Sequence, residues 1–237
     1  MQSDVADLPL SHKLWAWFET NRKPALLGVA LIAAAGLIAW ILISQQQEKQ
    51  IAAGAALSDI AANQMSGLTP RSDLVSAYLK VAGSYPGSSA GARALLMAAG
   101  NLFTENKFSE AQAQFEKFTR EYHDSPLMGQ ALLGVAACLD AQAKTDAAIA
   151  AYKNLIDRHP SDIVVPQAKF ALSRLYEAQN KPDMARDLLQ DVERGNPYTS
   201  LGNEAGMRLE ELIAKYPQLA PPPLATSTNA PMKFQQK

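Results

Sequence analysis

Cysteine is almost missing from this 237-residue chain: Cys138 is the only one. One thiol excludes an intramolecular disulfide framework, although an oxidising compartment permits disulfides without demanding them. Within ALLGVAACLDAQ it reads as a small buried hydrophobe. Histidine is equally scarce, with His12, His123 and His159 scattered along the chain. No HExxH, CxxC or GxSxG occurs, and neither does a Walker A or GxGxxG loop. These absences leave no catalytic residue, no metal ligand and no cofactor site to assign, so the chain is read as a non-enzyme. Charge of one sign is also lacking. Twenty-two basic residues face 23 acidic ones, a net charge of -1, so no global field favours nucleic acid and no nucleic-acid partner is expected. The acidic residues are spread as on a solvated helical exterior, and no stretch alternates long enough to make a useful strand.

Long apolar runs are absent too, with one exception. Residues 25–43 read ALLGVALIAAAGLIAWILI, without a charge or a strongly polar side chain. As a helix the run is about 28 Å long, close to the thickness of a bilayer's hydrocarbon core. Pro24 suits a helical first turn, where its missing N–H costs nothing. Trp40 stands near the far end, where an indole settles among headgroups. A cleaved signal peptide has a shorter apolar core of about 7–15 residues and a small-x-small cleavage site, whereas ISQQQEKQ follows here. The run is therefore read as an uncleaved transmembrane helix. Lys13, Arg22 and Lys23 precede it and only Lys49 follows closely. The positive-inside rule then places the N-terminus in the cytoplasm and everything beyond the anchor outside it. The expected location is the inner (cytoplasmic) membrane, single-pass, with the later part periplasmic or otherwise extracytoplasmic. In the leader, residues 1–24, Leu10, Leu14, Trp17 and Phe18 share one face of a short amphipathic helix, with Trp15 beside it. Such a helix can lie on the cytoplasmic leaflet or dock a cytoplasmic partner.

Beyond the anchor the chain repeats. NKFSEAQAQFEKF, AKTDAAIAAYKNL and NKPDMARDLLQDV begin at Asn106, Ala143 and Asn180, each 37 residues after the last. Ala111, Ala148 and Ala185 coincide in this register, as do Phe115, Tyr152 and Leu189; Leu74 and Tyr78 extend it one period earlier. Pro160 and Pro197 keep the same period. A fixed period of this size marks stacked supersecondary units. Leu132, Val135, Ala136 and Leu139 recur at helical spacing, and Ile149, Tyr152, Leu155 and Ile156 nearly repeat it. Each unit is thus a helix pair. Ser109 with Gln112 suggests a capping box, Ser125-Pro126 and Thr69-Pro70 pair an N-cap with a helical first-position proline, and Pro182 opens another helix. Units are placed at 48–86, 87–124, 125–161 and 162–197, with a closing helix over about 199–216 and a disordered, proline-rich tail over 218–237.

This pattern of small residues, aromatics and a terminal proline resembles the tetratricopeptide repeat. Units of that family have about 34 residues, so the three extra ones here are expected to lengthen the links around HDSP and HPSD. The resemblance implies an all-α fold: an N-terminal transmembrane helix (25–43), then a tetratricopeptide-like helical-repeat solenoid (44–217) of about four helix pairs plus a closing helix. It also implies that the first helix of each unit lines a concave wall. Carried onto this register, the protein-binding groove comprises Arg93, Leu96 and Phe103, then Gln130, Leu133 and Asp140, then Gln167, Phe170, Arg174 and Glu177. Leu96, Leu133 and Phe170 are one period apart, an apolar row able to hold an extended or helical peptide. The alternative is that the closing helix or the first unit packs over this row. The Lys and Asn that hold a C-terminal carboxylate in cytosolic cochaperone repeats are absent from these positions.

The order of parts resembles the bacterial ancillary Sec translocon subunit family, with its short cytoplasmic leader, one anchor and a periplasmic tetratricopeptide-like domain. The local match is WAWFETNRKPALLGVALIAAAGLIAW, residues 15–40. That resemblance implies protein partners: the translocon, a membrane-anchored periplasmic chaperone or a nascent chain, with lipid contacted through one helix. The repeat endings FTREYHDSP and LIDRHPSDI are more similar to periplasmic envelope-assembly proteins. Two functions therefore stand: an adaptor assisting protein translocation, or a structural scaffold for outer-membrane or cell-wall assembly without an unfolded client.

Overall fold

The computed structural model describes residues 21–67 and 70–220. The amphipathic face at Leu10–Phe18 and the tail beyond Ala220 lie outside the described residues, as does Thr69. The first helix, α1, runs unbroken over Arg22–Met65, 44 residues and about 66 Å. It contains the whole apolar run and the first helix of the first unit, so the change of composition at residue 44 is not a change of backbone. The reason is local. Gln45, Gln46, Gln47, Glu48, Lys49 and the alanines after Ile51 are all good helix formers, and no proline or glycine interrupts 37–53. Helix propensity is indifferent to the step in polarity that follows Ile43. Gly67, at φ 70°, ends the helix.

Eight more helices follow: α2 Arg71–Ser84, α3 Ser89–Thr104, α4 Phe108–Glu121, α5 Met128–Ala141, α6 Thr145–Arg158, α7 Val165–Ala178, α8 Pro182–Gly195 and α9 Ser200–Lys215. A 3-10 turn at Pro217–Leu219 comes last. No strand occurs among the described residues. The architecture is the expected all-α solenoid. The last part of α1 pairs with α2, then α3 with α4, α5 with α6 and α7 with α8, while α9 packs on α8 to close the stack.

Within each later pair the turn is the same device. Asn106, Ala143 and Asn180 take left-handed φ values of 60°, 57° and 56°. Lys107, Lys144 and Lys181 donate their N–H to the carbonyls of Leu102, Leu139 and Tyr176 at 2.9–3.0 Å. That bond, with the one from the left-handed residue itself, is a Schellman closure that satisfies the helix's last carbonyls. Asparagine tolerates this conformation, whereas alanine loses about 1 kcal/mol there.

The links between units are longer and of two kinds. Before α3 and α9, Ser88 and Thr199 cap the helix, their hydroxyls accepting from the Gly91 and Gly202 amides at 2.9 and 3.0 Å. Before α5 and α7 an additional turn intervenes, and Ser125 Oγ and Asp162 Oδ1 accept from the Leu127 and Val164 amides. The extra chain of the 37-residue unit is spent here. Three local expectations are corrected. Pro70 precedes α2 as its N-cap and does not hold its first position. Pro126 does not occupy the first position of α5, which begins at Met128. Ser109 caps nothing: α4 begins at Phe108, and the Ser109 hydroxyl donates to Gln142 Oε1 at the end of α5, in the next unit, at 3.3 Å. Pro182 does open α8, as its position suggested.

The core is built from the period. Ala111, Ala148 and Ala185 are fully buried where second helices touch first helices, and Leu74 fills the same place in the first unit. One turn on, Tyr78, Phe115, Tyr152 and Leu189 are buried; a further turn on, Val81, Phe118, Leu155 and Val192. Each large member contributes about 1.5–3 kcal/mol of apolar burial. Two apolar clusters result, and they meet in α5, whose Ala131 and Cys138 face the earlier units while Ala136 faces the later ones. Leu219, buried in the final turn, packs with the closing helix, so ordered packing extends past residue 217.

Candidate protein-binding groove

Helices α3, α5, α7 and α9 stand side by side, and their free faces form one wall. Leu96, Leu133 and Phe170 come to that wall from three successive units. Each is half-buried: its base packs against the core, and part of its surface remains in solvent. Arg93, Gln130 and Gln167 form an exposed row beside them. Read from the sequence, the row ends at the fourth unit, with the closing helix or the first unit as the alternative cover for it. Instead α9 lies alongside α7, and Met207, one further period along, continues the apolar row with 60% of its surface exposed. The arithmetic of the period could have found it.

Between α7 and α9 the wall opens into a cleft of about 400 Å³ lined by Phe170, Arg174, Glu204, Met207, Arg208 and Glu211. Arg208 fastens the two helices: its Nε and Nη2 donate to the two carboxylate oxygens of Glu177, both at 3.2 Å, and its Nη1 reaches Glu211 at 3.3 Å. The hydrogen bond to Glu177, aided by its charge, holds the guanidinium above its ordinary pKa. Glu177 is thereby engaged within the protein. Arg174 makes no hydrogen bond or ion pair among the described residues and faces the cleft. The cleft thus sets the apolar side chains Phe170 and Met207 beside the Arg174 guanidinium and the carboxylates of Glu204 and Glu211.

Two candidates, Phe103 and Asp140, do not line this cleft. Phe103 stacks edge-to-face on Phe108, ring centroids 5.1 Å apart, and so braces the turn between α3 and α4. The charges of Asp140 and Arg174 both act on the phenol of the buried Tyr152, at the junction of the third and fourth units. Burial foremost, and Asp140 next, push that phenol upward, while Arg174 opposes them. His123 is exposed, its Nε2 2.9 Å from Asp124 Oδ2, an ordinary surface contact in a link. Among the described residues no group of three His, Cys, Asp or Glu side chains is placed to hold a metal.

This fold and wall define a helical-repeat scaffold of the protein-interaction class. The profile of the tetratricopeptide repeat-like domain matches residues 15–154, more than half of the chain, and a second tetratricopeptide repeat profile matches 139–199. The chain belongs to the tetratricopeptide repeat-like family. The first match includes the apolar run as well as the repeats. No curated protein matches the sequence. Among solved structures, a tetratricopeptide repeat protein from Parabacteroides merdae is similar at 12% identity, covering 70% of this chain and 62% of its own, with a TM-score of 0.54. The tetratricopeptide-like repeats of a Podosopora anserina kinesin light chain are similar at 12% identity, covering 69% and 86%, with a TM-score of 0.53. PcrH from Pseudomonas aeruginosa matches at 19% identity over 53% of this chain and 93% of its own, with a TM-score of 0.47.

Proposed function

We propose that this protein is a membrane-anchored adaptor that holds a protein or peptide partner on the wall formed by α3, α5, α7 and α9. The observation that carries this reading is α1, one helix long and apolar enough to cross a membrane that is also part of the first repeat. An adaptor so built keeps its partner at the membrane surface. The basic residues before the anchor favour a cytoplasmic N-terminus and a repeat domain on the outer side of the cytoplasmic membrane. The resemblance of residues 15–40 to ancillary Sec translocon subunits supports a position near the translocon exit, with the translocon, a periplasmic chaperone or a nascent chain as partner. The repeat endings support the second reading, a scaffold for envelope assembly.

A photo-crosslinking residue at Leu133 or Met207, in the full-length protein in cells, tests the proposal. Adducts with translocon subunits, chaperones or translocating chains are the expected result. Adducts confined to cell-wall or outer-membrane assembly proteins would establish the scaffold instead, and adducts only from convex positions such as Met184 would refute the groove.

A further inference from the structure

The anchor and the solenoid share one helix, which sets how the solenoid sits over the bilayer. Ile43 ends the apolar run. Along α1, Gln45 stands about 3 Å and Gln50 about 10 Å beyond it. The headgroup layer is itself roughly 5–8 Å thick on each side. At that height α1 is already tied to the repeats. Gln50 Oε1 accepts from the Ser89 amide at 3.1 Å and from its hydroxyl at 3.3 Å. Tyr85, in the first inter-unit link, shares a shallow pocket with Gln45, Glu48 and Lys49. A second cleft, about 360 Å³, joins Gln50 to Ser88 and to Tyr122, His123 and Asp124 of the next link. The first two inter-unit links therefore lie level with the point where α1 leaves the headgroups.

Each helix pair returns the chain to the edge it left, because the two helices are antiparallel and nearly equal in length, 14–16 residues from α3 onward. All four inter-unit links, 85–88, 122–127, 159–164 and 196–199, thus share one edge, and the intra-unit turns share the other, roughly 20 Å farther from the membrane. The two edges differ in chemistry. The far edge carries Lys107, Lys144 and Lys181, one period apart. The near edge carries the bulky side chains Ile163 and Tyr198, 85% and 98% exposed. Neither is part of the core: beside Ile163 it is Val164 and Val165 that are buried, and Tyr198 is almost wholly in solvent. Charges on this edge offset one another, Arg158 and Arg194 against Asp124 and Asp162 among them.

We infer that the edge formed by the inter-unit links lies on the headgroup surface of the bilayer that holds α1, with Ile163 and Tyr198 seated at the lipid–water interface. The inference rests on the anchored reading above. Tyrosine favours that depth, with its ring among apolar chains and its hydroxyl wet. Spanning helices commonly tilt by about 20°, and a tilt toward the solenoid brings the distant third and fourth links down onto lipid. Because the edge is close to neutral, zwitterionic lipid suffices. The groove then runs parallel to the membrane plane, with its wall helices upright.

The test uses the full-length protein in phosphatidylcholine vesicles, leaving the buried Cys138 in place. A fluorophore is attached at Ile163→Cys, Tyr198→Cys, Lys144→Cys or Lys181→Cys, and quenched with headgroup spin-labelled phosphatidylcholine. Quenching at 163 and 198 severalfold above that at 144 and 181 is expected; equal quenching at both edges, or none at 163 and 198, overturns the inference. A probe at Ala33→Cys with lipid spin-labelled deep in its chains separates the two readings. If that probe is unquenched, the anchor and the edge contact fall together; if it is quenched while 163 and 198 are not, only the edge contact falls. Inserting seven helix-forming residues after Gln47 raises the domain by about 10 Å with almost no net rotation. Quenching at 163 and 198 should then drop to the level at 181, and its persistence would also overturn the inference.

Discussion

Gly134 and Gly100 are both interior to helices on the groove wall, and replacing each with alanine should move stability in opposite directions. Intrinsic propensity favours alanine over glycine by about 1 kcal/mol at either place. At Gly100 a new Cβ meets nothing within 4 Å, so that gain is expected in full. At Gly134 the same atom would lie 2.6 Å from Cε1 and Cζ of Phe115. Phe115 is buried in the earlier cluster, so its ring yields only by disturbing its neighbours. Overpacking of this kind costs about 1–3 kcal/mol, which exceeds the propensity gain. We expect Gly134→Ala to destabilise by about 1 kcal/mol net and Gly100→Ala to stabilise by a similar amount, a separation of roughly 4–8 °C between their melting temperatures at this chain size. Circular dichroism melts of the full chain in mild detergent measure it, with denaturant midpoints as a second readout. In the Gly134→Ala background, Phe115→Leu should restore part of the loss, since the two residues are directly coupled. A Gly134→Ala protein melting at or above its parent would refute the reasoning and show that the ring swings aside freely.

Other expectations are simpler to state. Ala148→Leu, at a fully buried contact between helices, should lose about 1–3 kcal/mol, whereas Ala147→Leu, on the exposed side of the same helix, should change the melting temperature little. Burial, with the Glu116 charge adding to it, pushes the Cys138 thiol up to about 11 from its ordinary 9.0. Above pH 9 the unfolded chain releases this proton before the native chain does, so its contribution to stability, complete below pH 9, is lost as the pH rises toward 11. Denaturant midpoints measured across that window should fall less steeply for Cys138→Ala than for the parent. Alkaline phosphatase fused after Lys237 should be active outside the cytoplasm, and activity confined to a cytoplasmic reporter would reverse the orientation.

Much of this molecule is legible in one dimension because its units contact only their neighbours. In a stack of that kind each residue's environment recurs with the period, and burial can be read from register. Ala111, Ala148 and Ala185 are the plainest case: small residues 37 apart, all sealed between helices. The apolar run is legible for a different reason, since crossing a bilayer is a matter of length and composition. The capping box fails because Ser109 and Gln112 satisfy a local pattern that the distant Gln142 overrides, its Oε1 accepting from the Ser109 hydroxyl and its Nε2 donating to Gln112 Oε1.

The helical class, the period, the small-residue contacts and the apolar segment all depend on spacing along the chain, and so they follow from the amino-acid order alone. Three other features come from how the helices are joined and packed. The apolar run continues into the first repeat without a break, because backbone continuity follows propensity and not polarity. Packing sets α9 beside α7, making Met207 part of the wall and drawing Glu177 into a pair with Arg208. It also gathers Ile163 and Tyr198 at the edge from which α1 emerges. Which residues of different helices share a face depends on how the pairs stack, and packing between elements is not written in the spacing within any one of them.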